Sequence, residues 1–356
     1  MNIMSNKDTE FHKRQERLTE QIYQTKGMLP SRYVFILTNL CNLRCDFCFQ
    51  EKKPRADAMT TEDWINLSKQ LPDYARITLT GGEPLMFKGF EEVFREVADK
   101  FDCNIITNGL LLTEKEIDFL LSFPKFKVLS ISIDNIGNTI RGVGPQQWEY
   151  LIKILNYFVR RKRELNHECV LDIKTMVLDE NADELFNIYK TLQEKLQPDT
   201  FSFQLLKGSP IQHADYMFTF ENILEKSHAF VYNKWEMIKK QLEKIKRYNT
   251  ENDKIAFLHP KLCSLTSEEP LSNIDLLNEE EYKNENFQSC KFPWSSVHIN
   301  VDGHLFPCLA VSVGNVKEKP LKEIIEDKNM QKFRNLIKEC GTVEACNRCG
   351  WLRVKE

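Results

Sequence analysis

The chain has 356 residues, 42% hydrophobic and 28% charged, with a formal net charge of −3 at pH 7. This length exceeds one typical domain, so we expect a core domain with an appended unit. The charge gives no basic footprint for nucleic acid, and no apolar run approaches the roughly 18 residues of a membrane span. Residues 1–17 lack the apolar segment of a signal peptide. We therefore expect a cytoplasmic protein without nucleic-acid or membrane partners, whose eleven cysteines favour metal ligation over disulfides.

The predicted elements alternate between strand and helix after an N-terminal helix at about 10–26. Strands are predicted at 33–37, 77–80, 104–107, 128–133, 170–176 and 200–205. Helices are predicted between them at about 60–70, 88–100, 113–122, 146–163 and 181–195. This alternation favours a parallel sheet with right-handed crossovers. Beyond 206 the pattern predicts a helix over 218–247 and polar loops or a lid at 250–254 and 264–285.

Three cysteines, Cys41, Cys45 and Cys48, lie in one short segment after the first predicted strand. Their spacing can wrap three thiolates around one iron–sulfur cube and leave the fourth iron without a protein ligand. A site that performs chemistry keeps such an open position. A zinc knuckle is the alternative, but zinc would want a fourth Cys or His nearby, and the next cysteine is Cys103.

Polar motifs follow three of the later strands. Residues 80–84, Thr-Gly-Gly-Glu-Pro, end the strand at 77–80, and two adjacent glycines let the backbone approach a ligand where any Cβ would collide. Taken alone, this motif could also be a turn that ends a strand. The strand at 104–107 leads into Asn108 and Gly109, and the next one leads into Ser132 and Asp134. These positions fall at the carboxyl ends of strands, where barrel enzymes place their chemistry.

The segment 41–48 resembles the signature of the radical S-adenosylmethionine (radical SAM) superfamily, with Phe47 as its aromatic residue. The resemblance implies a [4Fe–4S] cluster whose open iron binds SAM, and cleavage of SAM to a radical that removes hydrogen from a substrate. It also implies the fold, an α/β partial (β/α)6 barrel at 33–210. An N-terminal helical extension at 1–32 precedes the barrel, and a helical insertion with a lid-like linker at 211–289 follows it.

The same resemblance assigns residues that bind SAM. These are Phe47, Gly81, Gly82, Glu83, Pro84, Ser132, Asp134 and Arg141. Glu83 is expected to bind the amino group of SAM, and Ser132 and Asp134 its carboxylate and ribose. Arg141 is expected to pair with the SAM carboxylate as a charge-assisted donor. A solvated loop arginine is the alternative for Arg141.

A second cysteine set lies near the C-terminus. Cys290 precedes and Cys308 ends a predicted β-hairpin at 297–308 with an Asp-Gly turn, which brings these two cysteines within reach of a single metal centre. Cys346 and Cys349, at C-x2-C spacing, complete a set of four. A zinc ribbon suits this set equally well when it is considered alone.

Residues 290–356 resemble the SPASM and twitch extensions of radical SAM enzymes, small α+β units that hold one or two auxiliary [4Fe–4S] clusters. The chain has too few cysteines in order for two, so one auxiliary cluster is predicted. Cys263 and Cys340 are left over, and they could ligate, donate a hydrogen atom as thiols, or pack. Cys103 and Cys169 adjoin or lie in apolar strands and are expected in the core.

The resemblance implies a radical SAM oxidoreductase with a small-molecule or peptide substrate and an external reductant such as flavodoxin or ferredoxin. Three outcomes stay open after hydrogen abstraction from an unactivated C–H bond. They are dehydrogenation with the auxiliary cluster as electron acceptor, epimerisation with Cys263 or Cys340 as hydrogen donor, and cross-linking or oxidation of a peptide, as in maturation of ribosomal peptides. A non-enzymatic electron carrier or maturation scaffold would have no use for residues 81–84.

Two features of the sequence favour a small metabolite, such as a sugar or cyclitol, that is dehydrogenated. Only 40 residues precede Cys41, too few for the winged-helix domain with which many peptide-modifying relatives bind their substrates. Leu309 occupies the position after Cys308 at which the sulfatase-maturing subfamily has an aspartate base.

Overall fold

Strands and helices alternate along most of the chain in the computed structural model, which describes residues 3–50, 52–212, 217–225, 231–260, 265–266 and 271–355. The strands are β1 (Arg32–Ile36), β2 (Arg76–Thr80), β3 (Asp102–Thr107), β4 (Phe126–Ser132), β5 (Val170–Val177), β6 (Thr200–Leu205), β7 (Ala256–His259), β8 (Ser296–Ile299), β9 (His304–Phe306) and β10 (Gly314–Asn315). The helices are α1 (Ile3–Gln24), α2 (Thr61–Ser68), α3 (Phe90–Lys100), α4 (Glu114–Leu121), α5 (Pro145–Glu164), α6 (Leu185–Leu196), α7 (Trp235–Asn252), α8 (Phe292–Ser295), α9 (Leu321–Glu326) and α10 (Lys328–Cys340).

One sheet in the described part of the chain contains all ten strands, in the order β10-β9-β8-β1-β2-β3-β4-β5-β6-β7. Neighbouring strands from β8 through β1 to β7 are parallel, and only β9 and β10 run antiparallel to their neighbours. Because the strands from β1 to β6 are consecutive neighbours joined by helices, their carboxyl ends meet at one edge. The fold is the expected α/β partial barrel with a C-terminal extension.

The two faces of the sheet differ in chemistry because side chains alternate along each strand. On β1, Tyr33 and Phe35 are completely buried, and the Phe35 ring lies 4.9 Å from that of Trp64 on α2. The other face, which lines the inside of the partial barrel, is more polar. There Asp172 on β5 forms an ion pair of 3.1 Å with Lys174, on the same strand.

Local sequence signals account for where several helices begin. Thr60 and Asp63 form a capping box at the start of α2, in which each side chain binds the backbone N–H of the other residue. Thr113 caps α4 by accepting a hydrogen bond from the backbone N–H of Glu116. Pro145 occupies the first turn of α5, where its missing N–H costs nothing.

The six predicted strands agree with β1 to β6 to within two residues at each end. The prediction is less accurate between 211 and 289. Helix α7 begins at Trp235 rather than at 218, and it continues to Asn252, through part of the segment predicted as a polar loop. Strand β7 was not predicted, since four residues between Lys254 and Pro260 are too short for a clear pattern.

The C-terminal extension continues the barrel sheet instead of forming a sheet of its own, because β8 pairs in parallel with β1. The predicted hairpin is present as β8 and β9, and Gly303 in its turn has a φ of +87°, which suits glycine. At the N-terminus, α1 begins at residue 3 rather than at about 10. No described helix is both long enough and apolar enough to cross a membrane.

Candidate functional site

The first cysteine set lies on a loop that leaves the carboxyl end of β1. Cys41, Cys45 and Cys48 are all partly exposed and unpaired with one another. A turn closes the second half of the loop, since the backbone N–H of Cys48 donates to the carbonyl of Cys45 over 3.1 Å. The backbone N–H of Leu43 donates to the Sγ of Cys41 over 3.4 Å. Burial raises the pKa of Cys41, while this hydrogen bond opposes that shift by favouring the thiolate.

Gly81 and Gly82 fix the beginning of this loop. A Cβ on Gly81 would lie 2.3 Å from the carbonyl oxygen of Thr38, and one on Gly82 would lie 2.2 Å from that of Leu40. The backbone N–H groups of Gly82 and Glu83 donate to these same two carbonyls, over 2.7 and 2.8 Å. The sequence predicts that these glycines admit a ligand, and their contact with SAM stays a prediction. In the structure, the group that approaches both of them is the backbone leading into Cys41.

Glu83 is completely buried at the end of β2. Its carboxylate accepts hydrogen bonds from the Thr107 hydroxyl over 2.7 Å, the Asn108 N–H over 2.9 Å and the Leu85 N–H over 3.2 Å. Burial raises the pKa of Glu83, and the three hydrogen bonds act in the opposite direction. The carboxylate therefore joins the ends of β2 and β3, while its expected contact with the amino group of SAM stays a prediction.

Asn108 extends this connection to the cysteine loop, a role that the sequence did not reveal. Its Nδ2 donates to the Oδ1 of Asn42 over 2.7 Å and lies 3.9 Å from the Sγ of Cys41. The sequence signal for this role is the position of Asn108 after an apolar strand, at the edge where the other motifs lie. Asn108 thus links the end of β3 to the first cysteine.

Asp134 and Arg141 form an ion pair beside the cysteine loop. The Nε of Arg141 lies 2.7 Å from the Oδ2 of Asp134, and the N–H of Met176 donates to Oδ1 over 2.7 Å. The Arg141 guanidinium lies 5.2 Å from the centre of the Phe47 ring, and its carbonyl oxygen lies 4.0 Å from the Sγ of Cys45. Arg141 is therefore not a solvated loop arginine.

The Asp134 side chain in this ion pair is completely buried. Its carboxylate contacts Arg141 and the Met176 N–H, and its expected contact with the ribose of SAM stays a prediction. Ser132, by contrast, is partly exposed at the end of β4, opposite Lys174 of β5 in the sheet register. Its expected contact with SAM stays a prediction, as do those of Pro84 and Phe47.

The four cysteines of the second set come together between the extension and the barrel. Cys290 precedes α8, and Cys308 lies two residues after the end of β9. The charge of Cys308 interacts with those of Cys346, Cys290 and Cys349, so the four thiols form one electrostatic group. Burial, and to a smaller extent the neighbouring Cys349, raises the pKa of Cys290 to about 12. Deprotonating several thiols in this enclosed space therefore needs a compensating positive centre.

The 346–349 loop is held by the insertion and by the end of the barrel. Arg348, completely buried between the two cysteines, donates from Nε to the carbonyl of Leu277 over 2.7 Å, and its guanidinium lies 4.9 Å from the Tyr232 ring centre. Gln212 donates to the carbonyl of Ala345 over 2.8 Å. The backbone N–H of Cys349 closes the loop on the carbonyl of Cys346 over 2.8 Å.

The remaining cysteines separate into three cases. Cys103 and Cys169 are completely buried, as expected of core residues. Cys340 ends α10, and the next residue accepts a backbone hydrogen bond from Cys290 over 3.0 Å, but its thiol is not among the charges acting on Cys308. Cys263, the other hydrogen-donor candidate, lies outside the described residues.

The chemistry of both sets fits iron–sulfur clusters, because soft thiolates are the ligands that such clusters require. Within the described ranges, no three His, Cys, Asp or Glu side chains converge closely enough to hold a single metal ion. A cube does not need that convergence, because each thiolate binds a different iron. The fold and the two thiol sets thus fit an iron–sulfur protein built on a partial barrel.

Comparison with known proteins identifies the family. A model of the radical SAM superfamily matches residues 35–192, and a model of the SPASM iron–sulfur cluster-binding domain matches residues 290–350. The chain belongs to the radical SAM superfamily and carries a C-terminal SPASM domain. Its cofactors are accordingly SAM and [4Fe–4S] clusters.

Curated relatives share part of the chain. The sporulation killing factor maturation protein SkfB of Bacillus subtilis is 36% identical over 132 residues, which are 35% of this chain and 32% of SkfB. The antilisterial bacteriocin subtilosin biosynthesis protein AlbA, also of B. subtilis, is 28% identical over 116 residues, 32% of this chain and 26% of AlbA. GTP 3′,8-cyclase of Peptoclostridium acidaminophilum is 33% identical over 126 residues, 33% of this chain and 36% of the cyclase. The matches thus span only about a third of these relatives.

Solved structures cover more of the chain and agree on its fold. SuiB of Streptococcus suis, bound to S-adenosylmethionine, has a TM-score of 0.62 at 18% identity, covering 90% of this chain and 72% of SuiB. The native enzyme anSMEcpe with bound SAM has a TM-score of 0.57 at 17% identity, covering 91% of this chain and 89% of anSMEcpe. At these identities the likeness supports the fold alone.

Proposed function

We propose that this radical SAM enzyme modifies a peptide, forming a cross-link or an oxidised residue. The similarity to SkfB carries the proposal, because that relative is named for the maturation of a peptide factor. AlbA, named for the biosynthesis of a bacteriocin, supports it. The predicted sugar or cyclitol substrate is not supported, since none of the relatives described above is named for such a substrate.

At the first site, we assign Cys41, Cys45 and Cys48 as ligands of the SAM-binding cluster. When bound, the cluster and SAM supply a 5′-deoxyadenosyl radical that takes a hydrogen atom from the substrate. The protein holds the loop in place through the backbone contacts of Gly81 and Gly82. Substitution of either glycine would displace the loop rather than remove a ligand-binding group.

Arg141 is the charged donor that we assign to the SAM carboxylate, together with Ser132. In this assignment Asp134 is a positioning residue, because its completely buried carboxylate holds the Nε of Arg141. Arg141 keeps part of its surface exposed, and its backbone reaches the second cysteine of the loop. A bidentate guanidinium suits a carboxylate, which explains why an arginine serves here better than a lysine would.

At the second site, we assign Cys290, Cys308, Cys346 and Cys349 as ligands of one auxiliary cluster. Oxidation of a peptide residue removes two hydrogens in total. One leaves as a hydrogen atom, which converts the 5′-deoxyadenosyl radical to 5′-deoxyadenosine. An auxiliary cluster held by these four cysteines would supply the electron acceptor: the second hydrogen would leave as a proton and its electron would pass to the cluster, so that atoms and electrons balance. A cross-link follows the same balance when a nucleophilic side chain attacks and releases the proton.

GTP is a second candidate substrate, because the GTP 3′,8-cyclase relative has an identity comparable with that of SkfB over a similar length. The shared region falls short of the whole chain in both cases. The two candidates predict different products, which makes them easy to separate by experiment.

The test uses anaerobically reconstituted protein with SAM and dithionite. Short peptides encoded in reading frames next to the gene are added one at a time, and GTP and a set of sugars and cyclitols are added in parallel. We expect one peptide to increase the formation of 5′-deoxyadenosine and to lose the mass of two hydrogens in the product. Turnover of GTP or of a sugar, with every peptide unchanged, would contradict the proposal.

A further inference from the structure

Lys207 follows β6, and both of its chain neighbours are bound to the 346–349 loop. The carbonyl of Leu206 accepts from the guanidinium of Arg348 at 3.5 Å, and the N–H of Gly208 donates to the carbonyl of Asn347 over 3.2 Å. A Cβ on Gly208 would lie only 2.8 Å from that of Asn347, so the two segments are in direct contact. The backbone of Lys207 is therefore fixed against the two residues that separate Cys346 from Cys349.

The side chain of Lys207 is partly buried, and its charge interacts with the second thiol set. The described groups whose charges act most strongly on Lys207 include three of the four thiols, those of Cys349, Cys308 and Cys346, and no carboxylate. The remaining strong contact is with Arg32, another cation, which also faces Cys349. Burial lowers the pKa of the Lys207 ammonium, and the thiols oppose that shift. Among the described residues, the thiols are the groups that attract this ammonium most strongly once they are deprotonated.

We propose that the positive charge of Lys207 tunes the reduction potential of the auxiliary cluster. Four thiolates give the cluster a net negative charge, and one added electron makes it more negative. A fixed ammonium beside three of the ligands stabilises the reduced state more than the oxidised state, because attraction grows with the charge. Lys207 therefore raises the potential and makes the site a better acceptor for the electron of a substrate radical.

The inference rests on the auxiliary cluster of the proposed function and is independent of the substrate. No peptide or other substrate is needed to measure a potential, so failure of the peptide proposal leaves this one intact. The charge of Lys207 is also separable from its packing, since Lys207→Met removes the ammonium at similar length and Lys207→Arg keeps a positive charge.

The experiment measures the midpoint potential of the auxiliary cluster by a redox titration monitored by electron paramagnetic resonance. The full chain with Cys41, Cys45 and Cys48 all changed to Ala serves as the background, because the auxiliary cluster is then the one that remains. Lys207→Met and Lys207→Arg are compared in this background with Lys338→Met, which removes an exposed lysine of α10. Iron content is measured on every sample.

We expect Lys207→Met to weaken one-electron reduction at least tenfold, which is a fall of about 59 mV in the midpoint potential. Lys207→Arg and Lys338→Met should stay near the parental value. An unchanged potential in iron-loaded Lys207→Met would overturn the proposal. If Lys207→Met loads no iron, retention of iron by Lys207→Arg supports the role of charge, whereas loss of iron in both variants shows a packing role and overturns it.

Discussion

The carboxylates of Glu83 and Asp134 are both completely buried at the carboxyl edge of the barrel sheet. Glu83 follows β2 and is held by groups at the end of β3, and Asp134 follows β4 and is held by a group of β5. Glu83 accepts three hydrogen bonds, and Asp134 forms the ion pair with Arg141. A buried charge is costly unless it is paired or hydrogen-bonded, and both carboxylates meet that condition. Single residues at this site therefore carry a positioning role, whether or not they also touch SAM.

The first prediction concerns Glu83→Gln. The amide keeps the size of the side chain but loses the negative charge. Its NH₂ group replaces an oxygen that accepts either from the Asn108 N–H or from the Thr107 hydroxyl and the Leu85 N–H. Hydrogen bonds to a charged group contribute roughly 1.5–3 kcal/mol. We therefore expect the affinity for SAM to fall about tenfold, which corresponds to about 1.4 kcal/mol. Equilibrium SAM binding to reconstituted protein checks this.

The control for this variant is Glu91→Gln, which changes an exposed glutamate in the first turn of α3. Both variants should load iron like the parent protein. If Glu83→Gln binds SAM with parental affinity while loaded with iron, the assignment of Glu83 to the amino group of SAM is wrong.

Between elements, the contact of the β2 end with the residues before Cys41 controls the position of the cysteine loop. Two backbone hydrogen bonds connect these segments, and the absence of a Cβ at Gly81 and Gly82 allows their close approach. The end of β3 contributes through Asn108, which binds Asn42. The loop is thus positioned by two neighbouring strands, although all three cysteines lie outside regular structure.

The second prediction is that Gly82→Ala removes the first cluster. Its Cβ would lie 2.2 Å from the carbonyl oxygen of Leu40, which is backbone and cannot move aside as a flexible side chain would. With two cubes, the parent should hold about eight irons, and the variant about four. Iron analysis and formation of 5′-deoxyadenosine measure the effect, and we expect SAM cleavage to disappear.

Gly144→Ala is the matched control, because a Cβ there meets only the Oε1 of Gln147 at 3.6 Å, which is ordinary contact. It should keep all of its iron. If the Gly82→Ala protein loads parental iron and cleaves SAM, the loop tolerates the added Cβ and the prediction is wrong.

At the scale of the whole molecule, the extension and the barrel share one sheet, and the insertion lies between them in the chain. Arg348 of the extension binds Leu277 of the insertion, and Gln212 at the start of the insertion binds the extension at Ala345. The N-terminal helix also reaches the extension, where Glu20 forms an ion pair of 2.5 Å with Lys291. The auxiliary site is therefore assembled from several parts of the chain.

The third prediction separates the two sites. Cys346→Ala combined with Cys349→Ala should reduce the iron from about eight to about four per chain and retain SAM cleavage at the first cluster. Oxidised or cross-linked product should be absent, because the substrate radical then has no acceptor for its electron. Product formation by mass spectrometry and 5′-deoxyadenosine by chromatography are measured together.

The matched control is Cys340→Ala, which removes a cysteine of the same region outside the group of four. Because loss of metal can unfold a segment, circular dichroism must first show that the double variant keeps its fold. Product at the parental rate from a folded double variant would mean that the auxiliary cluster is not the electron acceptor. Loss of product in Cys340→Ala would instead support a thiol role.

The sequence by itself determined the order of β1 to β6, the position of the cysteine loop and the two thiol sets. These features depend on spacing and periodicity, which are local properties of the chain. The tertiary structure decided that Gly81 and Gly82 pack against backbone, that Asp134 binds Arg141, and that the chain on both sides of Lys207 binds the 346–349 loop. These contacts join residues far apart in the chain, and they form because parallel strands bring their carboxyl ends to one edge and because β8 joins β1.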